Sequence, residues 1–213
     1  MRVNSVILAI AMALLTLDAV AQQPPSAQPF DFRGNHLGTS LVELKAKYSG
    51  QTNSEKLECS DEPIPAELEQ AFRQSDEILR SNGIKPSKRP FEGFREAGIT
   101  RCSTRIDIGG RLVFNFVDGK LAAMRVVFSG SQFSDLAEGL KKKWGEPTKT
   151  EVREYQNGFG AKREGLILWW NNGVSRIELR QYDGILDASK LEITDSVLYP
   201  EFQRREPKDI PEV

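Results

Sequence analysis

Apolar residues recur at two spacings along this chain, and the change from one spacing to the other outlines its architecture. Two segments have apolar residues on a single helix face, namely Leu37/Leu41/Leu44/Tyr48 and Phe133/Leu136/Leu140/Trp144. Each predicted helix ends at an aromatic residue followed closely by glycine, which is typical of a helix C-terminus. Thr39 or Ser40 is expected to cap the first helix, and Ser134 or Asp135 the second, because short polar side chains accept from free amides.

After each predicted helix the apolar residues alternate with polar ones, which predicts antiparallel strands. The first group of strands is expected at 99–108, 111–117 and 120–128, and the second at 148–155, 166–171 and 174–182, with a loop over 156–164. Asp118-Gly119 and Asn172-Gly173 separate alternating runs. Both pairs are predicted to form type I′ hairpin turns, which need positive φ at both central residues.

The two helix-and-strand segments align without a gap when 32–49 is placed over 128–145. The identical pairs are Phe32/Phe128, Gly34/Gly130, Leu44/Leu140, Lys45/Lys141 and Lys47/Lys143. The alignment predicts an α+β fold made of two helix-plus-antiparallel-strand repeats, at 31–129 and 130–183. Helical spacing over 65–81 predicts a further helix, within an insertion at 62–98 in the first repeat.

The two ends of the chain differ in composition from these repeats. A short basic start, an apolar run over 6–17 and the small residues Ala19 and Ala21 form a secretory signal peptide over 1–21. Its apolar run is too short to span a bilayer, so we expect cleavage after Ala21 and a periplasmic or secreted protein without a membrane span. The segment 22–30 is expected to be a disordered linker, and 184–213 a partly disordered C-terminal extension.

Charge and cysteine content narrow the functional classes. The chain has 29 Lys and Arg against 30 Asp and Glu, which argues against a nucleic-acid-binding protein. Cys59 and Cys102 are its two cysteines, and in an exported protein they favour one structural disulfide. The alternative is a redox or metal pair, but the spacing is not CxxC and His36 is the single histidine. We expect no metal and no cofactor.

Several short motifs resemble those of a known group of envelope proteins. Leu37-Gly38-Thr39-Ser40, Glu43-Leu44 and Trp144-Gly145-Glu146-Pro147 are similar to the helix–hairpin units of BamE-like envelope lipoproteins and of the secreted β-lactamase inhibitor proteins. The resemblance covers 32–50 and 128–182. It implies small α+β modules, single or in tandem, that act by binding other proteins. The chain departs from the lipoprotein pattern because no lipobox cysteine follows the apolar run, and the inserted helix is not part of the common unit.

Alternation assigns two faces to the predicted strands. One face is expected to receive the helices: Leu112, Phe114, Phe116, Met124, Val126, Phe128, Leu166, Leu168, Trp170, Ile177 and Leu179. The opposite face has residue types that are enriched at binding hot spots, and we predict that it binds a partner through Trp169, Arg125, Arg176, Arg180 and Tyr182. The alternative is that the C-terminal segment or the other repeat covers this face.

The chain shows no sequence motif of an enzyme class: no HExxH, GxSxG, Walker or Rossmann pattern. The position of His36 is taken by Gln132 in the second repeat, which favours a polar role in a turn over catalysis. We therefore expect a non-catalytic exported module of the bacterial envelope, an assembly factor or an inhibitor, that binds another envelope protein. The alternative is a binder or hydrolase of a small molecule or cell-wall fragment, in a groove between the repeats lined by Trp144, Tyr155 and Phe159.

Overall fold

The structure is a computed structural model that describes residues 27–51, 55–86, 92–107, 110–156, 160, 162–184 and 187–207. The predicted signal peptide lies outside the described residues. The helices in this part of the chain are α1 (Leu41–Tyr48), α2 (Ala66–Ser81), α3 (Glu92–Glu96), α4 (Phe133–Trp144) and α5 (Leu198–Arg205), with a 3₁₀ turn at Gly130–Gln132. The strands are β1 (Asp31–Phe32), β2 (Asn35–His36), β3 (Glu58–Cys59), β4 (Ile99–Ile106), β5 (Gly110–Val117), β6 (Lys120–Ser129), β7 (Lys149–Gln156), β8 (Lys162–Asn171), β9 (Ser175–Arg180) and β10 (Ala188–Asp195).

The fold is α+β, and most of its strands form one large antiparallel sheet. Its eight strands are ordered β3-β4-β5-β6-β10-β9-β8-β7, while β1 and β2 form a separate hairpin. The segment 184–202, where no helix or strand was predicted, contains β10 and the start of α5. β10 lies in the middle of the sheet, paired with β6 on one side and β9 on the other. A segment expected to be an extension therefore joins the two groups of strands.

The main core lies between one face of the sheet and the helices α1 and α4. Ten of the eleven residues assigned to that face are buried there, and Leu166 is 36% exposed. Phe30, at the end of the expected linker, is also buried, and its N–H donates to Ser175 Oγ over 2.9 Å. Cys59 and Cys102 form a disulfide at the register position where β3 pairs with β4, as predicted.

The starts of α1 and α4 differ in how they are capped, and one of the two predictions is corrected. Ser40 caps α1 in a capping box with Glu43, which confirms one of the two caps proposed for that helix. The prediction that Ser134 or Asp135 caps α4 is wrong, because the preceding 3₁₀ turn runs directly into a helix that begins at Phe133.

The two predicted hairpin turns differ in backbone conformation. Asp118 and Gly119 have φ of 46° and 73°, as a type I′ turn requires. At the second turn Gly173 has φ of 86°, and Asn172 is not among the described residues with positive φ. Instead the Asn172 side chain accepts from the backbone N–H groups of Val174 and Ser175. A side-chain acceptor therefore replaces the predicted type I′ geometry.

Two other elements also differ from the sequence prediction. The loop predicted over 156–164 is shorter, because β7 extends to Gln156 and β8 begins at Lys162. The inserted helix is present as α2, but no residue of α2 is buried and Leu68 is 47% exposed. The apolar residues of α2 therefore add little to the core.

The opposite face of the sheet is only partly covered. A second core cluster forms there from Phe94, Ile99, Val117, Ala122 and Phe202, with Leu198 and Tyr199 packed against it. Through this cluster α3 and α5 cover the β4–β6 part, and α5 also reaches β10. This second cluster includes no residue of β7, β8 or β9, where on the same side Ile167 and Glu178 are buried, Trp169 is half-buried and Arg176 is exposed. We call the side chains that β7–β9 present on this side the open face.

Candidate functional site

One line of side chains runs from the part of the sheet that α5 contacts onto the open face, at successive register positions. Arg125 on β6 lies opposite Glu192 on β10, which lies opposite Glu178 on β9. Glu178 lies opposite Trp169 on β8, and Trp169 opposite Lys149 on β7. Residues directly opposite on one face of antiparallel strands have Cβ atoms roughly 5 Å apart. These five residues, which we call the central row, therefore form one continuous strip.

Direct contacts link most neighbours in the central row. The Arg125 guanidinium donates to Glu192 Oε1 over 3.1 Å. Trp169 Nε1 donates to Glu178 Oε2 over 3.1 Å, and Lys149 Nζ lies 4.4 Å from the centroid of the Trp169 ring. The indole is thus held at its N–H by a carboxylate and at its face by an ammonium group, a cation–π contact.

The centre of the row contains two carboxylates that are nearly buried. Glu178 is 7% exposed and Glu192 is 8% exposed, and like charges directly opposite each other destabilise a sheet. Each carboxylate is therefore paired with an arginine: Glu178 with Arg180, and Glu192 with Arg125. The charges of these two pairs balance, and Lys149 at the end of the row adds one positive charge.

The protonation states follow from these contacts. Burial raises the pKa of Glu178, but hydrogen bonds from Arg180 and Trp169 outweigh burial, and the net pKa is lowered. Glu178 is therefore ionised at neutral pH. On α5, burial and the Glu192 charge raise the pKa of Tyr199 to about 12, so its hydroxyl stays protonated and donates to Glu192. A catalytic acid needs a raised carboxyl pKa, whereas Glu178 has a lowered one.

The five residues predicted to bind a partner lie on the same side of the sheet, but in different environments. Trp169 and Arg180 are half-buried, and Arg176 is exposed. Arg125 is half-buried on β6, which α5 contacts. Tyr182 is buried with its ring 5.3 Å from that of Tyr155. Trp169, Arg176 and Arg180 are thus the members available to a partner.

Three members of the central row, Glu178, Glu192 and Lys149, were not among the residues predicted to bind a partner. Glu192 lies in the segment where no period was recognised, although Lys190, Glu192 and Thr194 alternate there with Leu191 and Ile193. That alternation is compatible with a strand that has one polar face, but two large apolar residues are too few to exclude a helix. Lys149 begins β7, and its contact with Trp169 depends on a register that the sequence alone does not specify.

The groove predicted between the repeats does not form from the described residues. Trp144 packs on the core side with Phe30, whereas Tyr155 packs on Tyr182 on the open face. The sheet therefore separates two of the three residues expected to line the groove, and Phe159 lies outside the described residues. His36 is exposed on β2.

The described part of the chain has a further concave feature, away from the open face. A pocket of about 290 Å³ lies beside α1, lined by Lys45, Tyr48, Ser49, Gly50, Gln51, Lys56, Leu57 and Glu62. Within the described ranges no group of three or more His, Cys, Asp or Glu side chains could hold a metal ion. None of the described helices is both long enough and apolar enough to cross a membrane.

Comparison of the chain with protein-family models, with curated proteins and with solved structures finds no match. The function proposed below therefore rests on the geometry of the open face and on the sequence.

Proposed function

We propose that the chain is a non-catalytic protein-binding module of the bacterial envelope, an assembly factor or an inhibitor, and that its open face binds the partner. The observation that carries this proposal is the central row, which holds Trp169 beside an accessible Arg176 and Arg180 on the open face. Trp and Arg dominate the energetics of many protein interfaces. The proposal requires no cofactor.

The fixed geometry of the row is what suits it to binding. Glu178 holds both the Trp169 indole and the Arg180 guanidinium, so neither side chain must be immobilised when a partner arrives. Ordering a flexible side chain at an interface costs roughly 1 kcal/mol. A partner with carboxylates and an apolar anchor would complement the exposed Arg176, the edge of Arg180 and the face of Trp169.

The repeat architecture forms a second part of the proposal. The matched pairs Leu37/Phe133, Leu41/Ala137, Leu44/Leu140 and Tyr48/Trp144 all pack in or against one core. The strand order also supports a repeat, because β4-β5-β6 and β8-β9-β10 meet at β6 and β10. The second repeat would then extend through β10 to Asp195. Gly34 and Gly130 differ, since Gly34 has φ of 70° and Gly130 lies in a 3₁₀ turn.

Export is the third part of the proposal. It rests on the signal-peptide pattern over 1–21, and the Cys59–Cys102 disulfide is compatible with an oxidising compartment. Export is tested by alkylating the thiols of cells in two parallel samples, one with and one without prior reduction. The mature protein is expected in the envelope fraction, with Cys59 and Cys102 alkylated only in the reduced sample.

The binding proposal is tested by cross-linked capture from envelope extract with Arg176→Glu and Trp169→Ala. Lys142→Glu is the matched control, because Lys142 is exposed on α4, which packs on the other side of the sheet. A captured protein, once purified, should bind the parent and Lys142→Glu, and should bind Arg176→Glu about tenfold or more weakly. Equal capture by all variants would reject the open face as the binding site.

A further inference from the structure

The two edges of the sheet differ in how they are protected. At one edge β3 has only two residues, and the disulfide between Cys59 and Cys102 joins it to β4. At the other edge β7 runs over eight residues, and β8 is its only strand neighbour among the described elements. A long edge strand presents unpaired backbone groups that can pair with another chain. We propose that β7 pairs antiparallel with β7 of a second copy of this chain.

The free backbone groups of β7 can be assigned from its neighbour. Leu166 on β8 donates its N–H to the Gln181 side chain over 3.0 Å, and its carbonyl accepts from the Gln181 N–H over 2.9 Å. Both groups of Leu166 thus point away from β7. Val152 lies opposite Leu166, so its N–H and C=O point to the outer edge. By alternation, those of Thr150 and Glu154 do the same.

The charges on β7 match those of a second copy in one antiparallel register. When the pairing is centred on Val152, residues at equal distances from it lie opposite each other. Glu151 then lies opposite Arg153 of the second copy, and Arg153 opposite its Glu151. These are pairs without backbone bonds between them, in which side chains approach most closely. Glu151 and Arg153 already pair within one chain over 2.9 Å, and the pairing places an arginine of the second copy opposite each Glu151 as well.

Apolar contact on the other side of the sheet favours the same register. Val152 is 58% exposed and its cross-strand neighbour Leu166 is 36% exposed, both on the side of α4. In the symmetric pairing Val152 meets Val152 of the second copy. The two Val152–Leu166 pairs then form one apolar strip across the junction, and its burial adds stabilisation of about 25 cal/mol per Å².

The experiment measures the dimerisation constant of the mature chain by sedimentation equilibrium over roughly a hundredfold range of concentration. The parent is expected to dimerise reversibly. Val152→Pro removes an outward N–H without affecting the hydrogen bonds between β7 and β8, and Val152→Lys places charge at the apolar strip. Both variants should be monomeric, whereas Val174→Lys, an exposed valine at the β8–β9 turn, should dimerise like the parent.

A charge swap tests the register. Glu151→Arg or Arg153→Glu alone should weaken dimerisation by about tenfold, and the double variant should restore it to near the parental value. Circular dichroism confirms that each variant folds, and Arg176→Glu should leave dimerisation unchanged. A parent that is monomeric throughout, or a dimer insensitive to both Val152 variants, would overturn the proposal. Failure of the double swap to restore dimerisation would overturn this register.

Discussion

The adjacent residues Trp169 and Trp170 on β8 provide the most direct test of the two faces. Trp170 is 1% exposed within the main core, and its Nε1 donates over 2.7 Å to the carbonyl of Gly145, the C-cap residue of α4. Trp170→Ala therefore creates a cavity and removes the donor to a helix-terminal carbonyl. We expect the free energy of unfolding to fall by about 3–5 kcal/mol.

Trp169→Ala should cost much less, because the indole is half-buried on the open face. The variant loses the hydrogen bond to Glu178 and the contact with Lys149. Hydrogen bonds to charged groups are worth roughly 1.5–3 kcal/mol, and exposed cation–π contacts roughly 0.5–1 kcal/mol. Solvent access to this face reduces both, so we expect a loss of about 1–2 kcal/mol.

The assay is urea unfolding followed by far-ultraviolet circular dichroism, since tryptophan fluorescence changes with the substitutions themselves. Trp170→Phe is the intermediate variant, because it keeps most of the ring volume and removes the donor to Gly145. The free energy of unfolding of Trp170→Phe should lie between that of the parent and that of Trp170→Ala. Equal losses for Trp169→Ala and Trp170→Ala would refute the face assignment, and the proposed binding site with it.

Three more predictions concern stability. Reduction of the Cys59–Cys102 disulfide should lower the melting temperature. In the chain-entropy model a crosslink at a separation of 43 residues stabilises the folded state by about 4 kcal/mol. An unchanged melting temperature would contradict this prediction. Gly165→Ala should destabilise the fold by about 1–3 kcal/mol in urea unfolding, because the new Cβ would lie 2.4 Å from the Tyr182 ring. Because the pKa of Glu178 is lowered in the folded state, its ionised carboxylate contributes to the free energy of unfolding. This contribution is fully present above the ordinary pKa of 4.5 and is lost as pH falls through the folded-state pKa. Stability measured against pH should therefore fall less steeply in acid for Glu178→Gln than for the parent.

The parts of the fold that the sequence predicts well are those set by residues close along the chain. Alternation over 112–116 and over 124–128 predicts the core face of these strands because every second residue there is apolar. The Ser40–Glu43 capping box fixes the start of α1, and Asp118-Gly119 fixes a hairpin turn. Each of these patterns involves neighbours whose backbone conformations depend directly on one another.

The parts that could not be predicted depend on contacts between distant residues. β10 contains Leu191 and Ile193 as its large apolar residues, too few to distinguish a strand from a helix by period alone. Its place in the sheet is set by pairing with β6 and β9, which are distant in sequence. The central row could not be predicted for the same reason, because it exists only when β10 places Glu192 between Arg125 and Glu178.

The proposed partner-binding surface and the proposed dimer contact both include β7, and substitutions can separate them. The central row ends at Lys149, so pairing through β7 would join the open faces of two copies into one surface with two Trp169 side chains. The backbone groups that pair belong to Thr150, Val152 and Glu154, whose side chains lie on the side of α4. Arg176→Glu should therefore weaken partner binding without changing dimerisation. If the partner requires the joined surface, Val152→Pro should weaken both, and partner binding should then depend on the concentration of the chain.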